Sequence, residues 1–135
     1  MRTLRRMSQS EIDALHAHLL AHHKLLLDAM RAEYEREHGP VASAGAFLQL
    51  LIRDDAFAWL RPLSGLLVEI DDPKLTPDAA TARTKVERLF GPETPAFHPR
   101  HLEVLAKVPE AARSHEQTLQ MVASLTRSRQ EGPTP

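Results

Sequence analysis

The sequence predicts an all-α domain, a four-helix bundle with one or two additional short helices. Three observations carry this. Leucine and alanine are abundant while valine and isoleucine are scarce, a balance that favours helix over sheet. Apolar residues recur at steps of three and four through most of the chain. Breakers cut the pattern at Gly39-Pro40, Asp72-Pro73 and Gly91-Pro92. A chain of 135 residues is the size of one domain. Such a chain buries about two-thirds of its unfolded surface, enough for a core without staples.

Residues 1–9 read as a flexible basic arm, residues 10–128 as the domain and residues 129–135 as a disordered tail. Ser8 followed by Glu11 suits a capping box, with Ser10 as a rival cap. The first helix then runs to His38, about 43 Å at 1.5 Å per residue. Its stripe is Ile12, Leu15, Leu19, His23, Leu26, Met30 and Tyr34. Ser43 is the expected cap of a short helix carrying Phe47, Leu48, Leu51 and Ile52. Asp54 or Asp55 caps the next one, which places Trp59, Leu63, Leu66, Leu67 and Ile70 on one face. Pro62 is expected to bend that helix, and Gly65 to permit the bend or a close helix approach.

Thr76-Pro77-Asp78 reads as the next helix start, with Ala79, Ala82, Val86, Leu89 and Phe90 buried. A proline-rich link leads to a short helix with Leu102, Val104, Leu105 and Val108. Pro109 starts the last helix, through Leu119, Val122 and Leu125. The segment from Phe47 to Asp72 holds three of the six aromatics and the only tryptophan. So apolar a segment is expected to be core and to organise the fold.

Composition excludes several functions. The absence of cysteine removes disulfides, zinc-thiolate sites, iron–sulfur clusters and thiol nucleophiles. A net charge of −1 gives no general drive toward nucleic acid or anionic membrane. The basic cluster Arg2, Arg5 and Arg6 is too small to supply much non-specific affinity for phosphate. No apolar run approaches the roughly 18 residues of a membrane span, and MRTLRRM is not followed by the apolar region of a signal peptide. A bacterial-type cytoplasmic protein is expected, with neither nucleic-acid nor membrane partners.

The segments AEYEREHGPV (Ala32 to Val41) and FLQLLIRDDAFAWLRPLSGLLVEID (Phe47 to Asp71) resemble a group of short bacterial all-helical proteins without an attached function. The likeness covers roughly Leu15 to Asp72 and more loosely the last helix. It implies a small helical domain and brings no catalytic residues.

The one chemical clue is the eight histidines. His16 and His23 lie a heptad apart on the first helix's apolar face. His101 shares a face with Val104, Leu105 and Val108, and His115 with Leu119 and Val122. Neutral imidazole binds transition metals, and helix bundles build such sites from inward side chains. These four could hold a metal, or two of them haem. The plainer reading, which the sequence favours, has each ring donating to a carbonyl or lying at the core margin. His18 and His22 form an i, i+4 pair suited to a two-histidine metal clasp, but no glutamate follows His18 as in HExxH. A partly solvated flank is the expected reading there. Glu35 to His38 spells E-x-x-H, whereas di-iron bundles need two such motifs and two further glutamates.

The pairs Asp54/Asp55 and Asp71/Asp72 suit helix ends better than acid–base dyads, because adjacent helical residues point roughly 100° apart. Trp59 falls in the apolar stripe and is expected to pack in the core, with Arg61 on the far side pairing with an acid. The five glycines are scattered, and neither a phosphate loop nor a nucleophile elbow is present. No catalytic residue is assigned. The leading expectation is a non-enzymatic interaction or regulatory module, acting as a homodimer or on a protein partner, with no cofactor. The alternative is a histidine-based metal- or haem-binding bundle. A third is an enzyme acting on a small apolar molecule, with one histidine as general base.

Overall fold

The computed structural model describes the backbone of residues 2–131 and the side chains of residues 9–125. Six α-helices and one 3₁₀ helix make up the fold, with no strand among the described residues. Helix α1 (Arg2–His38) begins earlier than its capping signals suggest. Ser8 and Ser10 therefore lie inside the helix. A cap contributes only about 1 kcal/mol, and the preceding residues are good helix formers. The basic cluster's side chains and residues 132–135 of the expected tail lie outside the described residues.

The buried stripe of α1 is Ile12, Leu15, Leu19, His22, Leu26 and Met30. His22, not His23, occupies its middle. Gly39 ends the helix at φ +86°, where a side chain would be strained. Its amide donates to Glu35 O at 2.8 Å, and the Val41 amide donates to Glu35 Oε2 at 2.8 Å. The carboxylate of the E-x-x-H motif therefore serves the turn.

Helix α2 (Ala44–Arg53) starts as expected, with Ser43 Oγ accepting from Ala46 N. It is not core, however: none of its residues is fully buried. Leu48 and Ile52 are 53% and 56% exposed, and only Phe47, Leu50 and Leu51 pack against the core. The reason is geometric. Asp54 Oδ1 accepts from Ala56 N and opens a 3₁₀ helix (Asp55–Leu60), and α2 packs on that turn at the rim.

The 3₁₀ helix buries Phe57, Trp59 and Leu60 and passes directly into α3 (Arg61–Ile70). The expected bent helix is thus two helices of different pitch. Pro62 lies in the first turn of α3, where its missing N–H costs nothing. Gly65 admits no close approach, since a Cβ there would meet nothing within 4 Å. Leu63, Leu66, Leu67 and Ile70 are buried as expected. Arg61 Nη2 donates to Ile52 O at 2.7 Å rather than pairing with an acid, because the turn brings the end of α2 beside it.

Helix α4 (Ala79–Phe90) buries the five residues its pattern predicts. Its cap is Asp78, accepting from Thr81 N, and not Thr76. Thr76 is buried and donates to Glu69 O at 2.7 Å, tying the loop to α3. Helix α5 (His98–Lys107) buries only His101 and Val104, and α6 (Pro109–Glu131) follows at Pro109. Leu102 and Leu119 are 51% and 53% exposed, against expectation. Each lies one residue past a buried histidine or threonine that takes the inward position.

Helix α1 packs on α3, α4 and α6; α4 also packs on α3 and α6; and α5 lies along α6. Among the described residues no helix is long and apolar enough to cross a membrane.

Candidate metal centre

Three helices each contribute one histidine to a common point: His22 from α1, His101 from α5 and His115 from α6. One ring nitrogen from each lies within 4.8 Å of the others. His22 Nε2 is 2.9 Å from His101 Nε2. His22 and His101 are fully buried, and His115 is half-buried.

Apolar rings wall the site. Phe90, the last residue of α4, has its centroid 5.9, 5.0 and 5.2 Å from those of His22, His101 and His115. Phe97 stacks on His101 at 4.8 Å. A second, polar layer joins α1 to α6. His22 Nδ1 bonds Ser114 Oγ at 2.9 Å. His18 Nε2 lies 2.9 Å from both Ser114 O and Thr118 Oγ1, and Thr118 Oγ1 lies 3.1 Å from Ser114 O. His115 Nδ1 is buried and has no hydrogen-bond partner.

Burial governs the titration of these rings. It pushes His22 down to about 4, with smaller contributions from His115, His18 and His23. It pushes His101 down to about 3, aided by His22, His115 and His98. His115 is lowered too, by burial and then by His98. All three rings are therefore neutral at pH 7, and each neutral ring has one nitrogen free to accept a proton or a metal.

The spacing suits a small ion. Zinc–nitrogen bonds of about 2.0–2.1 Å in a tetrahedron set neighbouring ligand nitrogens about 3.3 Å apart. That value falls between the shortest and longest separations in the triad. The Ser114–His22 bond is of the kind that orients a metal-ligating imidazole.

No family model, curated protein or solved structure matches the chain. Its chemistry must be read from its residues.

Two of the four histidines expected to face inward, His101 and His115, come together. The other two do not join them. His16 is half-buried elsewhere on α1, and His23 Nε2 turns toward α3 to meet Ser64 Oγ at 3.0 Å. His22 replaces them. Steps of three and four run equally well through Leu19, His22 and Leu26 as through Leu19, His23 and Leu26, so periodicity alone leaves the pair ambiguous. The polar partners Ser114 and Thr118 on α6 could have decided it.

His18 and His22 both face α6, as their spacing requires, but they converge on Ser114 rather than forming a clasp. The expected partly solvated flank is wrong for His22, which is fully buried. His38 packs its ring on Tyr34 at 4.5 Å, at the exposed end of α1. Asp54 caps a helix and Asp72 Oδ1 accepts from Lys74 N, so these carboxylates serve the backbone. Trp59 is core, packed on Phe97 at 5.4 Å.

Proposed function

We propose that this protein binds a divalent transition-metal ion through His22, His101 and His115, on a four-helix scaffold of α1, α3, α4 and α6 with α5 packed on α6. The observation that carries the reading is the convergence of three neutral imidazole nitrogens within 4.8 Å, from three separate helices. Buried polar rings spread singly through a core would each need a local partner. Here they face one another, inside a wall of phenylalanines and over an orienting serine. The 2.9 Å between His22 and His101 favours a bare ion over haem, whose macrocycle would have to pass between two axial rings.

Metal analysis and native mass spectrometry of untagged protein, purified without chelator and then titrated with cobalt(II) or zinc(II), test this. One ion per chain is expected, lost in His101→Ala and His22→Ala and retained in His16→Ala. A wild-type protein that takes up neither ion would sink the reading.

The interaction module retains one specific support. The outer face of α2 carries Leu48 and Ile52, each more than half exposed and four residues apart on one side of the helix. Sedimentation of the wild type and of Leu48→Lys/Ile52→Lys tests it. A dimer that dissociates in the double variant supports a homotypic contact, and a monomer in both removes it.

A further inference from the structure

We propose that His98 is the fourth ligand of this ion, closing the site with four nitrogens. The inference rests on the three-histidine reading and adds to it a residue from the start of α5.

His98 opens α5, three positions before His101, so both project from the same side of that helix. Its Nδ1 is buried and has no hydrogen-bond partner. The same is true of His115 Nδ1, within the triad itself. Buried nitrogens normally find a donor, an acceptor, a water or an ion. Three residues along a helix is a rise of about 4.5 Å, so His98 stands one turn before His101 on α5. It stands outside the 4.8 Å group, so ligation requires its side chain to swing inward. Its place in the first turn of α5 makes that movement local.

The remaining donors near the centre are already committed. Ser114 Oγ holds His22, and Thr118 Oγ1 is shared between His18 and Ser114 O. The chain has no cysteine, and among the described residues no carboxylate joins the group of ligand atoms. A fourth protein ligand drawn from the site's own surroundings is therefore nitrogen. Four imidazoles suit a borderline ion that accepts tetrahedral geometry, such as zinc(II) or cobalt(II), and not a hard ion such as magnesium or calcium. A closed sphere also leaves no coordination position for water or substrate. The ion would then hold α1, α5 and α6 together, and would not act as a hydrolytic centre.

Cobalt(II) reports coordination through its visible d–d bands, and azide binds only where a position is open. The wild type is expected to give intense tetrahedral bands that azide leaves unchanged. His98→Ala is expected to bind cobalt at least about tenfold more weakly, by analogy with losses from outer partners alone, and its bands should shift with azide. Azide-sensitive bands in the wild type overturn the proposal without any variant, so a folding defect cannot obscure the answer. Unchanged cobalt affinity in a folded His98→Ala overturns it as well. A wild type that takes up neither cobalt nor zinc instead defeats the three-histidine site itself, which is a different and distinguishable failure.

Discussion

His22 Nε2 and His101 Nε2 face each other at 2.9 Å, so one of them carries a proton and the other accepts it. If His22 Nδ1 donates to Ser114 Oγ, Nε2 of His22 is bare and His101 is the donor. Metal uptake then needs no net loss of protons. His101 moves its N–H from Nε2 to Nδ1 and remains neutral, as do its neighbours, whose ordinary values are depressed by burial. Calorimetry at about pH 7 in two buffers of different ionisation enthalpy should therefore give the same apparent binding heat. A difference amounting to one proton per ion would show that a ligand was charged beforehand.

The metal-free protein should lose stability in mild acid. Unfolded histidine titrates near 6.5, whereas His22 and His101 titrate at about 4 and about 3 in the fold. Between those values the unfolded chain binds more protons than the native one, so stability falls as pH falls. Above about 6.5 both states are neutral and the pair contributes no slope. His18 and His23 on α1, His98 on α5 and His115 on α6 lie around the pair, and each further positive charge opposes the next. One unit of depression corresponds to about 1.4 kcal/mol, so the loss is on the order of a few kcal/mol, a large part of a typical domain's stability. Urea midpoints of metal-free protein at pH about 7.5, 6 and 5 should decline in that order. A flat series would mean that the rings are solvated.

Ser114→Ala should weaken metal binding through His22 alone. The substitution leaves His22 Nδ1 buried without its partner, a cost of about 1–3 kcal/mol in stability. Losing the orienting bond should also lower affinity about 10- to 100-fold. Thr118→Val separates the two effects. It removes the hydroxyl that meets His18 and Ser114 O but leaves the His22 bond intact, so stability should drop while affinity holds. Equal losses of affinity in both variants would assign Ser114 a merely structural role.

The helices were legible in the sequence because periodicity and caps are local signals. The buried faces of α3 and α4 follow their patterns residue for residue. The errors arise where tertiary context decides. Apolar content alone makes α2 look like core, yet the 3₁₀ turn after Asp54 leaves it at the rim. At the site, His101 and His115 were legible as inward rings. His22 was not, because adjacent residues on a helix can each continue a three–four stripe, and only the opposing α6 hydroxyls distinguish them. His98 lies one step of three before His101, which by itself does not single it out from other residues near that face. Its interest comes from an unpartnered nitrogen, which only the folded structure reveals.

Two glycine substitutions should shift stability in opposite directions. Gly65 lies in the interior of α3, exposed, with an ordinary backbone and nothing within 4 Å of where a Cβ would stand. Alanine there keeps every contact and reduces the freedom of the unfolded chain, so Gly65→Ala should stabilise by about 1 kcal/mol. Gly91 closes α4 beside Phe90, and a Cβ there would come within 2.9 Å of Glu87 O. That neighbour is backbone and cannot rotate away. Gly91→Ala should therefore force the last turn of α4 to shift, at a cost of the order of 1–3 kcal/mol, as for other overpacked positions. Because Phe90 contacts the rings of His22, His101 and His115, the same shift should loosen the triad and lower cobalt(II) affinity, while Gly65→Ala leaves that affinity unchanged. Thermal melts and cobalt titrations of both variants check the pair. A destabilised Gly65→Ala would mean that a neighbouring helix crowds α3, and an unaffected Gly91→Ala would mean that the end of α4 is free to relax.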